Sequence, residues 1–261
     1  MLRVVIRKCT VKGGVLGSDI DGIIEVELRI GKSTSALNML HRVWKAPQIT
    51  IGTRMKIFNA TVLSLLTQSA GATAFMRRNL DKLDAHHRTL LRRLLGVYWP
   101  NTISNVDVYE QTNTSPITVS VIRARWSFFG HLLRLAWKDE SIPAWSIMVQ
   151  YFQRKPTQAE EARRQTRRGR VLTTVPRLLE MDIMRLYPKN KLGKRMTSII
   201  QQNRVKGILG IAELTNGGNL MILRLKAQNR ELWDKARDAI AAAEYGCSMD
   251  QKDEGQIGEK A

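Results

Sequence analysis

The sequence predicts a mainly α-helical protein: a helical bundle with a short N-terminal β hairpin and a C-terminal helical extension. Two observations favour helices, because apolar residues recur at helical spacing over most of residues 25–142 and again over 173–245. A third observation places the hairpin within residues 1–24, where a β-branched segment is followed by Gly13 and Gly14. A chain of 261 residues can bury a substantial core in one or two domains.

Two helices are predicted directly after the hairpin. One helical face from about residue 24 indicates a long helix that ends before Pro47; this face consists of Val26, Ile30, Ser33, Leu37, Leu40 and Trp44. A second helix is predicted from about Ile51 to Leu66. Residues 57–76 carry no charge, but their many hydroxyl and amide side chains favour a buried helix over a membrane span.

A helix with two unlike faces is predicted from about Leu80 to Leu95. Its apolar face covers about 100° of the helix circumference and consists of Leu80, Leu83, His87, Leu90, Leu91 and Leu94. Basic residues cover the rest of the surface: Arg77, Arg78, Lys82, Arg88, Arg92 and Arg93. We expect Asn79 to cap the N-terminus and Gly96 to end the helix in the left-handed conformation. The basic face is either simply solvated or binds a nucleic acid.

The next helix is predicted to start at Ser115 and Pro116, which suit the N-cap and the first helical position. One apolar stripe faces inward and consists of Ile117, Val121, Ala124, Phe128, Leu132 and Leu135. The opposite side carries Trp126, Phe129 and Leu133 among Arg123, Arg125 and Arg134. Burial of both sides is the interpretation that we favour. The alternative is a surface of aromatic rings and arginines that contacts nucleic acid.

The chain loses its pattern after Pro143, so residues 143–172 are predicted to form a basic linker or exposed loop. Thr174 and Pro176 restart a helix that runs to about Leu186. A final helix is predicted from about Leu220 to Glu244, within a C-terminal helical region of residues 173–245. The acidic residues 246–261 are predicted to be a disordered tail.

The charge of the chain favours a polyanionic partner. Lys and Arg number 42 against 23 Asp and Glu, which gives a formal net charge of +19. Basic residues concentrate in the runs 121–138, 154–170 and 185–206. Because no run forms a clean amphipathic anchor, nucleic acid is favoured over membrane. The N-terminus is too charged for a signal peptide, so we expect an intracellular protein, nuclear or cytoplasmic.

The motifs of common catalytic and metal sites are missing from the sequence. It contains no Asp-Asp pair for a two-metal polymerase, no phosphate-binding loop and no nucleophile elbow. Cys9 and Cys247 form no CxxC pair, and the four histidines show no ligand spacing. We therefore expect no metal, no cofactor and no catalysis by this chain alone.

The order of several short motifs resembles the C-terminal part of LINE-type (non-long-terminal-repeat) retrotransposon reverse transcriptases. The motifs are VLGS at 15–18 with EVELRIGK at 25–32, LLRRLLG at 90–96 with Trp99 and Asn105, RARWSFFGHLLR at 123–134, TRRGR at 166–170 and AQNRELW at 227–233. The resemblance runs from about residue 14 to 240. It implies that residues 1–24 are a remnant of the palm and that 25–142 form a thumb-like domain.

The resemblance implies a non-catalytic, truncated copy that binds nucleic acid. The family's paired catalytic aspartates would lie before the matched region, residues 64–74 depart from the family pattern, and no zinc knuckle follows. A polymerase thumb packs one face on its neighbours and presents another to the primer–template. The implied nucleic-acid-binding residues are Arg88, Arg92, Arg93, Arg123, Arg125, Trp126, Arg134, Arg163, Arg164, Arg167, Arg168 and Arg170.

Three hypotheses follow from the sequence. A nucleic-acid-binding remnant would carry one basic face across Arg88, Arg92, Arg93, Arg123, Arg125 and the 163–170 loop. A protein-interaction module would instead expose Trp126, Phe129 and Leu133 as an apolar patch. A non-functional remnant would fold poorly and expose apolar surface around Val4–Leu16.

Overall fold

The computed structural model describes residues 8–11, 14–17, 22–153, 174–186, 206, 209 and 217–257. These ranges are mostly helical, which confirms that the protein is mainly α-helical. The chain divides into two compact units. The first unit comprises Met1–Ala70 and Phe75–Val121, and the second comprises Gly71–Ala74 and Ile122–Ala261. The boundary between Val121 and Ile122 falls inside the continuous helix Ile117–Lys138, whereas the sequence predicts a boundary at residue 142.

The first unit begins with two short strands and a long helix. Strand β1 (Lys8–Val11) pairs with strand β2 (Gly14–Gly17) in antiparallel register, with Lys8 opposite Gly17. Helix α1 (Ile23–Met39) buries the stripe Val26, Arg29, Ser33 and Leu37. The predicted long helix is interrupted at Leu40, and the short helix α2 (His41–Lys45) then ends before the proline.

Arg29 is a buried cation that connects three parts of the first unit. One guanidinium nitrogen donates a hydrogen bond to the Leu66 carbonyl at 2.8 Å, and another lies 2.8 Å from the Glu25 carboxylate. The guanidinium carbon also lies 5.1 Å from the centre of the Phe75 ring. Burial lowers the pKa of Arg29, and the Glu25 charge opposes that shift.

The predicted helix over 51–66 is confirmed, although it has an irregular middle. Helix α3 (Ile51–Phe58) begins at Thr50, whose hydroxyl accepts a bond from the Thr53 N–H. One π-helical turn (Asn59–Leu63) joins it to helix α4 (Ser64–Thr67). The inward stripe consists of Met55, Phe58, Val62 and Leu66, all of them buried.

Helix α5 (Arg77–Leu95) starts three residues earlier than predicted. Its N-cap is Met76, and the expectation that Asn79 caps the helix is wrong. The Asn79 N–H already donates to the Met76 carbonyl at 3.0 Å, which places Asn79 inside the first turn. The C-terminal expectation is confirmed, since Gly96 has φ 74°. Helix α6 (Asn105–Thr112) then begins with a capping box between Ser104 and Asp107.

The second unit contains the helices that follow. Helix α7 (Ile117–Lys138) begins directly after Pro116, and its residues from Ile122 belong to this unit. Helix α8 (Pro143–Gln153) corrects the prediction of a linker from residue 143. It buries Trp145, Met148 and Phe152, a stripe at helical spacing that the leading proline obscured.

The C-terminal region confirms one predicted helix and corrects the bounds of another. Helix α9 (Val175–Leu186) matches the expected element. The final predicted helix is two, α10 (Gly217–Lys226) and α11 (Arg230–Ile257), separated where the Asn229 side chain accepts the Leu232 N–H. Helix α11 continues to Ile257, beyond the predicted end at about Glu244, and residues 258–261 of the predicted tail lie outside the described residues. None of the helices in the described ranges is long and apolar enough to cross a membrane.

Candidate nucleic-acid interface

Helix α5 separates an apolar face from a basic one. The predicted apolar stripe is confirmed, because all six of its members are buried: Leu80, Leu83, His87, Leu90, Leu91 and Leu94. Burying each leucine stabilises the fold by roughly 1.5–3 kcal/mol. The helix is therefore held by one face, which leaves the other available to solvent and ligands.

The C-terminal end of α5 carries three arginines in three different settings. Arg93 is exposed. Arg92 is half-buried, and its Nη2 donates to the Ile103 carbonyl at 3.2 Å and to the Asn105 side-chain oxygen at 2.9 Å. Arg88 is also half-buried, and its charge favours ionisation of the buried Asp84 carboxyl. Arg92 thus fastens the following loop to the helix, whereas Arg93 presents its charge to solvent.

The N-terminal part of α5 differs, because carboxylates neutralise its basic side chains. Arg77 lies 3.1 Å from Asp81, and Lys82 lies 3.2 Å from Glu27. Residues 85–105, by contrast, include Arg88, Arg92 and Arg93 but no acidic residue. Because Arg88 lies near Asp84, the positive charge of this helix that meets no carboxylate in the described residues is that of Arg92 and Arg93, at its C-terminal end.

The loop that follows α5 exposes two aromatic side chains. Tyr98 is 59% exposed and Trp99 is 90% exposed. A turn fixes their backbone, since the Asn101 N–H donates to the Tyr98 carbonyl at 2.9 Å. Our residue-level prediction of the interface did not include this pair. Their position in the sequence could have indicated that they are exposed, because both rings follow the glycine that ends α5 and belong to no predicted apolar stripe.

Two titratable groups on α5 face inward. The Asp84 carboxylate accepts bonds from the N–H and hydroxyl of Thr118 at 3.2 and 2.5 Å, at the start of α7. Burial raises the pKa of Asp84, and these bonds oppose the rise. His87 lies between the rings of Phe58 and Tyr109, with centroids at 5.9 and 6.3 Å. Burial lowers the pKa of His87 to about 3, so its imidazole is neutral at pH 7.

In the second unit, two of the predicted interface arginines are engaged with protein groups. Arg123 is exposed, and its Nε lies 3.1 Å from the Asp238 carboxylate. Arg134 is half-buried and donates to the Ala227 carbonyl at 3.2 Å. Burial lowers the pKa of Arg134, Arg230 lowers it further, and Asp234 opposes both. These contacts orient both side chains within the unit.

The assignment of Arg125 and Trp126 to a binding surface is wrong, because both side chains lie in the interior. Arg125 and Asp182 are each 2% exposed and form a two-pronged ion pair, with nitrogen–oxygen distances of 3.0 and 2.8 Å. The Trp126 indole N–H donates to the same carboxylate at 3.1 Å. Arg125 is therefore unavailable to extend a basic face.

The apolar patch predicted by the interaction-module hypothesis is likewise wrong. Trp126, Phe129 and Leu133 are all fully buried, as our favoured interpretation of this helix expected. The Trp233 indole packs on Gly130 so closely that a Cβ there would overlap its ring. Trp233 also donates to the Trp126 carbonyl at 2.9 Å, which closes an aromatic cluster inside the unit.

The remaining predicted residues, Arg163, Arg164, Arg167, Arg168 and Arg170, lie outside the described residues. Within the described ranges, no group of three or more His, Cys, Asp or Glu side chains is placed to hold a metal ion. No known protein family, curated protein or solved structure matches this chain.

Proposed function

We propose that this chain is a non-catalytic, nucleic-acid-binding fragment of a LINE-type reverse transcriptase, with the first unit acting as a thumb-like helical bundle. In this proposal the C-terminal end of α5 contacts the backbone of a primer–template, in the nucleus or the cytoplasm. The family assignment is supported by the order of the motifs described above. The binding surface is supported by the arrangement of charge on α5.

The concentration of unneutralised charge at one end of α5 is the observation that carries this proposal. Arg92 and Arg93 meet no carboxylate in the described residues, Arg88 lies one turn before them near Asp84, and the leucines of the same helix are buried. The regularly spaced phosphates of a nucleic-acid backbone can supply the negative charge that these arginines lack within the protein. Contacts of this kind position a duplex without reading its sequence.

A binding assay with substitutions tests this surface. The assay measures fluorescence anisotropy of a labelled RNA–DNA hybrid hairpin at several salt concentrations, with single-stranded and duplex competitors. Each phosphate neutralised on duplex DNA adds about 0.9 to the slope of log affinity against log salt. We expect Arg88→Ala/Arg92→Ala/Arg93→Ala to weaken binding to all sequences about equally and to reduce that slope by roughly 2–3.

The matched control removes the same number of charges from other helices of the first unit. Arg42, Lys45 and Lys56 are exposed, and Arg42→Ala/Lys45→Ala/Lys56→Ala changes the net charge equally. If this control weakens binding as much as the α5 variant, the chain attracts polyanions through its overall charge only. Equal affinity of the α5 variant and the parent protein would reject the assignment of this face. Circular dichroism of both variants checks that the helices remain.

A further inference from the structure

Trp99 is the most solvent-exposed large apolar side chain in the described ranges. Its exposure of 90% compares with 49% for Trp137, the next most exposed tryptophan there. Trp137 has a role in the fold, since the Arg224 guanidinium lies 5.4 Å from its ring. Tryptophan is highly buried on average, because leaving its large ring in water is unfavourable. An almost completely exposed ring therefore requires an explanation outside the fold.

The backbone beneath Trp99 is held from both sides. On one side, two backbone hydrogen bonds end α5 at Gly96. The Gly96 N–H donates to the Arg93 carbonyl at 3.2 Å, and the Val97 N–H donates to the Arg92 carbonyl at 2.9 Å. On the other, the Arg92 guanidinium holds Ile103 and Asn105. The turn from Tyr98 to Asn101 lies between these anchors, so the ring projects from a defined support rather than from a free chain end.

The charge around this ring indicates what would cover it. Residues 85–105 carry three arginines and no carboxylate. An exposed aromatic ring a few residues after an exposed arginine is a combination that suits unpaired nucleotides, because the ring can stack on a base while the cation meets a phosphate. A purely apolar partner would cover the ring but leave the charge of the exposed Arg93 without a counterpart.

We infer that Trp99, assisted by Tyr98, stacks on an unpaired base of a single-stranded nucleic acid whose phosphates lie against the end of α5. This inference rests on the proposed function and adds a preference for unpaired over fully paired ligand. It assigns different roles to neighbouring residues: the arginines supply the salt-dependent part of binding, and Trp99 supplies a part that salt does not screen.

The test compares a single-stranded oligonucleotide with an abasic one of the same length and charge, using the full chain. Stacking on one base changes affinity by roughly 5- to 150-fold. We expect the parent protein to bind the abasic probe that much more weakly, and Trp99→Ala to bind both probes with equal, reduced affinity. The salt slope should be the same for Trp99→Ala and the parent, since no cation is removed.

A matched control removes the other partly exposed tryptophan. Trp137→Ala should keep the full discrimination between the two probes. Tryptophan fluorescence gives an independent readout, because a base that stacks on Trp99 quenches its emission. Quenching by the normal oligonucleotide should persist in Trp137→Ala and disappear in Trp99→Ala.

The outcomes separate this inference from the proposed function. If Trp99→Ala discriminates between the probes as well as the parent, stacking by Trp99 is overturned while the arginine surface stands. If neither probe binds with a measurable salt slope, the proposed function fails first. A Trp99→Ala variant that binds nucleic acid normally but no longer associates with a protein partner would overturn stacking in favour of a protein interface.

Discussion

Helices α5 and α7 both contain leucines and arginines, but they place their arginines very differently. Tryptophan and phenylalanine occur only in α7. In α5 the arginines leave the core, and the polar groups that stay inside are Asn79, Asp84 and His87. In α7 a full cation, Arg125, lies in the interior with Asp182 as its partner. The difference follows from chemistry, because an imidazole can lose its proton when buried whereas a guanidinium cannot.

The comparison shows that arginine content alone does not identify a binding surface. The partner of Arg125 lies 57 positions away in the sequence, on α9. A second buried cation, Arg224, is likewise held by a remote carboxylate, 2.5 Å from Glu140. Arginines of α5 that meet no carboxylate remain the candidates for external anions. Three predictions test this contrast, and they follow in order of decreasing expected effect.

Removing the partner of Arg125 should have the largest effect. Asp182→Ala leaves a charged guanidinium buried and unpaired, so we expect it to lower the free energy of unfolding by about 3–5 kcal/mol. The measurement is urea denaturation followed by circular dichroism. Replacing both partners by apolar residues, Arg125→Met with Asp182→Leu, should recover most of that loss. A double variant as unstable as Asp182→Ala would show that lost packing, rather than the unpaired charge, is responsible.

His87 should make the first unit sensitive to acid. Its pKa falls from 6.5 in the unfolded chain to about 3 in the folded protein, so only the unfolded state takes up a proton between these values. The stabilisation is therefore present above pH 6.5 and is lost as the pH falls, at up to about 1.4 kcal/mol per pH unit. Urea denaturation at a series of pH values measures the slope.

A variant isolates His87 from the carboxyl groups that titrate in the same pH range. His87→Leu has no proton to gain at this position, so its free energy of unfolding should fall less steeply below pH 6.5. His131→Gln, at an exposed histidine, should keep the slope of the parent. Identical slopes for His87→Leu and the parent would remove His87 as the cause.

The smallest effect is expected at the exposed ion pair of α7. Asp238→Ala breaks the contact with Arg123 at the surface, where both partners are about half exposed. Such pairs contribute about 0–1 kcal/mol. A loss comparable to that of Asp182→Ala would contradict the distinction between buried and exposed arginines on this helix. The same variant also removes the contact of Asp238 with Arg237 at 3.2 Å, so a gain in nucleic-acid affinity that Arg123→Ala then abolishes would add Arg123 to the interface.

Local sequence patterns were sufficient to predict helix α5 and its faces. All six residues that the spacing of its leucines and His87 identified are buried, and Gly96 identified the end, although the buried Asn79 and Asp84 were not predicted. These features depend on residues three or four positions apart, and such residues are neighbours on any helix. The same rule identified Val26, Ser33 and Leu37 on α1, although it missed the buried Arg29.

The settings of individual arginines could not be predicted in this way. The sequence neighbours of Arg125 and of Arg93 do not distinguish the two residues. Only the folded structure brings a carboxylate, that of Asp182, to Arg125 and leaves Arg93 exposed. Helix α8 was missed because a proline at its start was interpreted as a break, although proline is well suited to the first helical position. The exposure of Trp99 could not be predicted from residue spacing either, because the sequence alone does not show whether another part of the fold packs on this ring.

Arg29 has a consequence for dissection of the first unit into smaller pieces. Its guanidinium holds Glu25, the Leu66 carbonyl and the Phe75 ring at once. A peptide that stops before residue 66 would keep α1, but Arg29 would lose its contacts with the Leu66 carbonyl and the Phe75 ring. A fragment that keeps all the partners of Arg29 must therefore include residues 25–75. Proteolysis or truncation within this range should destabilise the first unit.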